Sequence, residues 1–263
     1  MLPAALSACA INPPLDLEEA AGPEPVELSQ VPFHPQQEYH CGPATLLTVL
    51  QASGVEKASY DGLVDRVFVP GLEGSLQTEM TAAAREYGRV AYLLPPDPAA
   101  VFDELEAGRP VLVLLNQGVR SVPFWHYAVV IGVDPRDDRV LMRSGDDPRR
   151  AERADRWLRQ WDWAGRWAMM LLQPGELPAS PDRNRLLEAT AAFDATGTPQ
   201  ARLAAWQAVL ERYPDAPVAA LGVANALHAA GDLAGAEAVY RRMLARWPDH
   251  AAARINLAET LVV

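Results

Sequence analysis

The sequence is short of several features on which whole classes of protein depend. It has two cysteines in 263 residues, Cys9 and Cys41, so a disulfide framework is not expected. No apolar run reaches the roughly 18 residues that a membrane-spanning helix needs. Positive charge is also scarce, because 23 Lys and Arg stand against 34 Asp and Glu, a formal net charge of −11. A broad basic surface for nucleic acid is therefore not expected.

The short motifs of metal and nucleotide chemistry are missing as well. The sequence contains no HExxH, HxxEH or CxxC pattern and no GxxxxGK or GxGxxG loop. We therefore expect neither a metal nor a cofactor. The composition is that of an ordinary globular protein, with 49% hydrophobic and 22% charged residues, and the length allows more than one domain.

Residues 1–30 indicate an exported and tethered protein. Leu6-Ser7-Ala8-Cys9 resembles the bacterial lipobox, so Cys9 is the predicted lipid attachment site. The basic and apolar segments that normally precede a lipobox are curtailed, and we expect either a start further upstream or a trimmed N-terminus. The Pro- and Glu-rich stretch that follows is typical of a flexible tether. The alternative is a frayed terminus that happens to contain a cysteine.

The lipobox interpretation predicts the location of the protein. The chain would lie on the periplasmic side of a bacterial membrane and would touch the membrane only through its lipid anchor. Ala10 follows the cysteine in place of the Asp that commonly retains lipoproteins at the inner membrane, so the outer membrane is favoured.

Residues 31–178 alternate between helical and strand patterns and predict an α+β domain. Helices are expected in "ATLLTVLQASG", "SLQTEMTAAAREYG" and "DPAAVFDELEAG". Strands are expected in "RPVLVLLNQ", "HYAVVIGVD", "RVLMRS" and "RWAMMLLQP", with "DPRDD" as the turn between the second and third. The helices come first, and the strands that follow them favour an antiparallel sheet.

The C-terminal region, residues 183–263, is helical, rich in alanine and repetitive. At an offset of 34 residues Leu210 matches Leu244, Pro214 matches Pro248 and Leu227 matches Leu261. This period, with small residues on the packing face, resembles tetratricopeptide repeats and predicts an all-α domain. Such helix pairs stack and offer a concave groove, so we expect the repeats to dock a protein substrate or partner.

Cys41 is the candidate nucleophile of the first domain. The sequence Cys41-Gly42-Pro43 opens a helix, and the free amide groups of a first helical turn favour negative charge on a thiol. Gly42 would leave space beside the sulfur for a substrate backbone. Alone, this pattern equally suits a buried structural cysteine. His126, which opens the strand "HYAVVIGVD", is the candidate base that favours catalysis.

Four segments resemble, in order, the bacteriocin-leader-processing cysteine peptidases of the papain-like superfamily: "VPFHPQQEYHCGPATLLTVL", "GLEGSLQTEMTAAAREYG", "PVLVLLN" and "HYAVVIGVD". More narrowly, the chain is similar to stand-alone lipoprotein members that carry tetratricopeptide repeats. The resemblance implies a Cys-His-Asp triad with Cys41 as nucleophile and His126 as base. It also implies an oxyanion glutamine, for which Gln36 is the first candidate and Gln37 its rival.

The third member of the triad is the point at which the sequence departs from the family. The family usually has Asp-Pro after the strand that follows the histidine strand, and this chain reads "VLMRSGDDPRR". If the hairpin turn is centred on Arg136, Asp146 lies opposite His126 and Ser144 lies on the same face. We therefore expect Asp146 as the third member, with Ser144 second. Asp147-Pro148 matches the Asp-Pro dipeptide of the family, but the side chain of Asp147 would point to the opposite face of the strand from Ser144 and Asp146.

The resulting expectation is a cysteine peptidase that hydrolyses peptide bonds of a protein or peptide substrate docked by the repeats. The resemblance implies small residues, such as Gly-Gly, before the cut. Two alternatives remain: a non-catalytic scaffold with a peptidase-like fold, and a cell-wall peptide hydrolase. The acidic chain, without a wall-binding module, makes the latter the weaker of the two.

Overall fold

A computed structural model describes residues 15–262 of the chain. Its helices are α1 Leu17–Ala21, α2 Cys41–Ala52, α3 Tyr60–Val67, α4 Gln77–Glu86, α5 Pro98–Glu106, α6 Ala154–Trp163, α7 Arg183–Asp194, α8 Pro199–Arg212, α9 Pro217–Ala229, α10 Leu233–Arg246 and α11 Ala251–Val262. Its strands are β1 Val26–Glu27, β2 Phe68–Val69, β3 Gly74–Ser75, β4 Val90–Leu93, β5 Val111–Asn116, β6 Trp125–Asp134, β7 Arg139–Ser144, β8 Asp147–Arg153 and β9 Ala168–Leu172. The predicted class, an α+β domain followed by an all-α region, is confirmed.

The first domain is built on an antiparallel sheet in the order β4-β9-β5-β6-β7-β8, with the short strand β1 also paired to β6. Every residue of β5 is buried. Because successive side chains of a strand point to opposite faces, both faces of the sheet centre must be covered. Helices α2, α5 and α6 pack on β5 and β6 and supply this cover.

Strands β6 and β7 form the hairpin that carries the candidate histidine, and the hairpin is irregular. Val133 pairs with Val140 next to the turn, but a β-bulge between Val130 and Gly132 shifts the register, so that Val130 pairs with Met142. A bulge adds one residue to one strand and changes which residues lie opposite each other beyond it. A turn centred on Arg136 pairs Val130 with Met142, so the register assumed from the sequence holds beyond the bulge, on the His126 side, and fails only next to the turn.

Helix α2 is the buried centre of the domain. Its residues from Gly42 to Leu50 are all buried, as expected for a helix that is apolar on every side. The first turn approaches β3 closely, since a Cβ atom at Gly42 would lie 2.6 Å from the Cβ atom of Ser75 and closer still to its hydroxyl. The space beside Gly42 is thus filled by the chain itself, and the expectation that a substrate backbone uses it is wrong.

The C-terminal helices follow the predicted period. Helices α7, α9 and α11 begin at Arg183, Pro217 and Ala251, and α8 and α10 begin at Pro199 and Leu233, 34 residues apart in each series. Helix α7 packs against β4. The backbone N–H of Asp182, the residue that caps α7, donates a hydrogen bond of 3.0 Å to the hydroxyl of Tyr92 on β4. The helical region is therefore joined directly to the edge of the sheet.

The contact between Gly42 and Ser75 gives a stability prediction. We expect Gly42→Ala to lower the free energy of unfolding by about 1 kcal/mol net. Overpacking costs about 1–3 kcal/mol, and the better helix propensity of alanine offsets about 1 kcal/mol of this. Urea denaturation would measure the change. Gly71→Ala is the matched control, because a Cβ atom there meets nothing within 4 Å. Equal stability of the two variants would contradict the close approach.

Candidate active site

Cys41 is the first residue of α2, a free cysteine whose side chain is half-buried. Burial has the largest effect on the pKa of the thiol and raises it. Hydrogen bonding to the backbone at Tyr127, at Gly42 and at Cys41 itself lowers the pKa, but by less. The free protein therefore holds Cys41 as a thiol, and backbone amide groups are already in place for the thiolate.

Tyr127 ties this end of α2 to β6. Its hydroxyl donates a hydrogen bond of 3.1 Å to the carbonyl oxygen of Ser75, and its ring packs edge-on against Trp167. Burial, and to a smaller extent the charge of Cys41, raises the pKa of the Tyr127 hydroxyl, which stays protonated. Since Tyr127 directly follows His126, the Cys41 sulfur lies beside the backbone of the next residue after the candidate base.

His126 is buried on β6, and Nε2 of its ring lies 2.8 Å from the Ser144 hydroxyl oxygen. Burial lowers the pKa of the imidazole to about 4, with a smaller contribution from the positive charge of Arg150. The strand registers explain this arrangement. Met142 pairs with Val130 on one side and with Arg150 on the other, so His126, Ser144 and Arg150 all belong to the same face of the sheet.

The prediction that Asp146 lies opposite His126 is wrong. Strand β7 ends at Ser144 and β8 begins at Asp147, so Gly145 and Asp146 form the turn between them, and Asp146 is exposed. The residue that hydrogen-bonds the imidazole is Ser144, the second candidate. A hydroxyl can orient the ring, but unlike a carboxylate it brings no negative charge to stabilise an imidazolium.

The two glutamine candidates occupy different positions in the loop before α2. The backbone N–H of Gln36 donates to the carbonyl oxygen of Gly145 at 3.4 Å, so this residue lies against the turn that follows Ser144. The backbone N–H of the exposed Gln37 instead donates to the Tyr60 hydroxyl at 3.1 Å. Gln36 is therefore nearer to the His126 hairpin, and its oxyanion role stays a prediction.

Two other histidines lie near the cysteine in sequence but have different surroundings. Nε2 of His34 lies 2.8 Å from the side-chain oxygen of Gln51 near the end of α2. His40, the residue before Cys41, packs edge-on against Phe68 with ring centroids 4.6 Å apart. Neither contact joins these rings to Ser144 or His126.

Some features of the site had no recognisable sequence signal. Ser75 and Tyr127 lie beside the first turn of α2. Both are far from Cys41 in sequence, and only the folded chain brings them there. Within residues 15–262 no group of three or more His, Cys, Asp or Glu side chains is arranged to hold a metal ion. Over the same range, no helix has both the length and the apolar character needed to cross a bilayer.

A cysteine that opens a buried helix, beside the strand that carries a buried histidine, resembles the arrangement of a papain-like cysteine peptidase. The family model described as Peptidase_C39 like family matches residues 28–170, more than half of the chain. The chain therefore belongs to the Peptidase_C39 like family. A second model, Tetratricopeptide repeat, matches residues 217–260. The C39-like domain followed by these repeats is the architecture that the resemblance implied.

The other two comparisons add less. A crystal structure of a Bacillus anthracis protein assigned as a C39-like peptidase aligns with a TM-score of 0.47 and 18% sequence identity. The alignment covers 57% of this chain and 98% of that chain. The search of curated proteins gave no match.

The buried imidazole predicts a pH-dependent stability. His126 titrates near pH 4 when folded and near 6.5 in the reference state, so between these values the unfolded chain binds more protons. Its contribution is fully present above pH 6.5 and falls by about 3 kcal/mol as the pH drops to 4. We therefore expect the difference in unfolding free energy between wild type and His126→Gln to shrink by that amount between pH 7 and pH 4. A difference that stays constant in urea denaturation across this range would contradict the lowered pKa.

Proposed function

We propose that the protein is a cysteine peptidase that hydrolyses peptide bonds of a protein or peptide substrate. Cys41 is the nucleophile, His126 the base and Ser144 the residue that orients the imidazole. The observation that carries the proposal is the position of the Cys41 thiol beside Tyr127 on β6, one residue from an imidazole held by Ser144. Membership of the C39-like family supports a peptidase-type function.

The contacts suggest a sequence of steps. Ser144 occupies Nε2 of His126, which leaves Nδ1 to accept the thiol proton as the sulfur attacks the substrate carbonyl carbon. The oxyanion formed in this step would be stabilised by amide groups at the start of α2 and by the Gln36 side chain. The imidazolium then returns its proton to the leaving amine, and a thioester remains on Cys41. Water, deprotonated by His126, cleaves the thioester and restores the thiol.

Among residues 15–262 no carboxylate is hydrogen-bonded to the imidazole, and this favours a second candidate function, a peptide-binding scaffold without catalysis. Both Cys41 and His126 rest in their neutral forms because they are buried, and Ser144 supplies no charge to promote proton transfer between them. Reaction with a thiol-directed peptidase probe separates the two functions. A catalytic Cys41 is labelled, and the labelling is lost in His126→Ala, whereas an inert site resists the probe in both proteins.

The repeats would provide the docking site for the substrate or for a partner. Tetratricopeptide repeats indicate protein–protein interaction. Helices α7, α9 and α11 follow one another as the first helices of successive units, and α9 contacts both of the others. Their shared side carries the exposed side chains of Val218 and Ile255 and the amide pair formed by Asn225 and Asn256. A surface of this mixed character suits a peptide segment.

Turnover of an identified peptide substrate by single variants tests the proposed roles. We expect Cys41→Ala to abolish hydrolysis and His126→Ala to lose nearly as much, because members of a catalytic unit are not additive. Ser144→Ala should lower kcat about tenfold, the effect of one lost hydrogen bond. Asp146→Asn should cost less than Ser144→Ala, because Asp146 is exposed in the turn. Near-normal turnover by Cys41→Ala would overturn the assignment, and the opposite ranking of Ser144 and Asp146 would overturn the role of Ser144.

We further propose that the enzyme is lipid-anchored at Cys9 on the periplasmic side, with the outer membrane favoured. Cys9 lies outside the residues that the structure describes. A single acyl chain binds a membrane only marginally, whereas several chains anchor stably. We therefore expect the product of the native locus to sediment with membranes and to resist salt, and Cys9→Ser to be released or left unprocessed. Recovery of unlipidated native protein in the cytosolic fraction would refute the anchor.

A further inference from the structure

The exposed apolar side chains of the peptidase domain are concentrated around the candidate site. In residues 15–178 every large hydrophobic side chain that is exposed lies on one of three segments. We call the set the apolar rim: Tyr39, Leu72, Leu76, Val119, Val122, Phe124 and Trp125. Tyr39 lies two residues before Cys41, and Leu72 and Leu76 flank β3, whose Ser75 meets the first turn of α2. The last four lie on the loop that joins β5 to His126. Exposed apolar side chains gathered on segments that flank a candidate site indicate a binding surface.

The loop between β5 and β6 is held in one shape by a single buried side chain. Asn116, only 1% exposed, accepts hydrogen bonds of 3.0 Å from the backbone N–H groups of Gly118 and Phe124. The N–H of Gln117 donates to the carbonyl oxygen of Phe124 at 2.9 Å. Val119 and Val122 exchange two backbone hydrogen bonds across the loop tip. Gly118 has no room for a side chain, because a Cβ atom would lie 2.9 Å from the Phe124 nitrogen.

Because the backbone of the loop is fixed, its apolar side chains are held in solvent and cannot turn inward to be buried. Phe124 is 62% and Trp125 is 52% exposed, although both directly precede the buried His126. A rigid loop loses little conformational entropy when it binds, which is how preorganised surfaces gain affinity. Aromatic side chains in such positions are typical anchors of a binding site. The loop is thus built to receive apolar groups beside the imidazole.

The chemistry of the proposed reaction decides which part of a peptide would lie there. The imidazole returns its proton to the leaving amine, so the residues that follow the scissile bond must be on the side of His126. Phe124 and Trp125 directly precede His126 in the chain. We propose that Val119, Val122, Phe124 and Trp125 bind large apolar side chains immediately C-terminal to the scissile bond. This inference rests on the proposed peptidase function and adds the substrate class.

A peptide fits this surface better than a lipid bilayer does. The loop is continuous with the site, since the strand it enters carries His126 and the Tyr127 backbone beside Cys41. The formal net charge of the chain, −11, disfavours close approach to an anionic bilayer surface. Lipid binding is therefore one of the outcomes that would overturn the proposal.

A proteome-derived peptide library tests the preference without knowledge of the natural substrate. After digestion, mass spectrometry identifies the two residues that follow each new cut. For wild type we expect Leu, Ile, Val, Phe and Trp to be enriched about tenfold over Gly, Ser and Asp, the discrimination of a modest apolar pocket. In the double variant Phe124→Ser, Trp125→Ser the enrichment should fall to within about twofold. The control Leu261→Ser, Val262→Ser, at exposed apolar residues near the end of α11 that have no proposed role, should keep it.

Cleavage without apolar enrichment, or enrichment that survives in the Phe124 and Trp125 variant, overturns the proposal and leaves the peptidase assignment standing. If wild type cleaves nothing, the peptidase assignment fails, and a binding measurement on Cys41→Ala decides the inference. Fluorescein-labelled peptides that begin with Leu-Phe should bind about tenfold more tightly than those that begin with Ser-Gly. Equal binding overturns the proposal. A lipid-binding result also overturns it. In that case wild type sediments with phosphatidylethanolamine–phosphatidylglycerol vesicles, the Phe124 and Trp125 variant does not, and the protein shows no preference between the peptides.

Discussion

The site depends on the close packing of the first turn of α2 against β3 and β6. Gly42 lets the helix approach Ser75, and the Ser75 carbonyl oxygen in turn holds the Tyr127 hydroxyl. These contacts fix the helix N-terminus next to the residue that follows His126. Because α2 is buried along most of its length, its end cannot shift independently of the core. The position of the thiol is therefore a consequence of core packing.

The same burial sets the electrostatic state of the reacting groups. It raises the pKa of Cys41 and lowers that of His126, so the charged forms are disfavoured on both residues. In many cysteine peptidases a carboxylate or amide partner promotes the charged pair, whereas this chain offers the hydroxyl of Ser144. In the proposed reaction, the separation of charge between Cys41 and His126 would then be assisted mainly by the backbone amide groups at the start of α2. The substrate would complete the site by excluding water from it.

Much of the fold could be predicted from the sequence, because local patterns decide it. The strands 111–116 and 125–134 lie where apolar runs indicated them, and the 34-residue period reappears in the helix starts at Arg183, Pro217 and Ala251. Membership of the C39-like family agrees with the resemblance carried by the Cys41 and His126 segments. These features depend on periodicity and on short motifs, which a single sequence displays.

The errors concern what long-range geometry decides. The end of β7 at Ser144 leaves no sequence signature, and it puts Asp146 in a turn and Ser144 on the imidazole. The sequence also did not reveal that Ser75 fills the space beside Gly42. Strand β8, "DPRRAER", is rich in charged residues and does not resemble a buried strand, because it is mostly exposed at the edge of the sheet.

The hydrogen bonds of the β5–β6 loop have a consequence for how such a protein can diversify. They close within the loop itself, on Asn116 and between the loop's own backbone groups, so the exposed side chains at its tip take no part in holding the sheet together. The side chains at those positions can be exchanged while the backbone of the loop stays the same. If the loop binds the substrate as proposed, substitutions there change what the molecule recognises while its folding stability stays nearly the same. Recognition and stability can therefore evolve under separate selection.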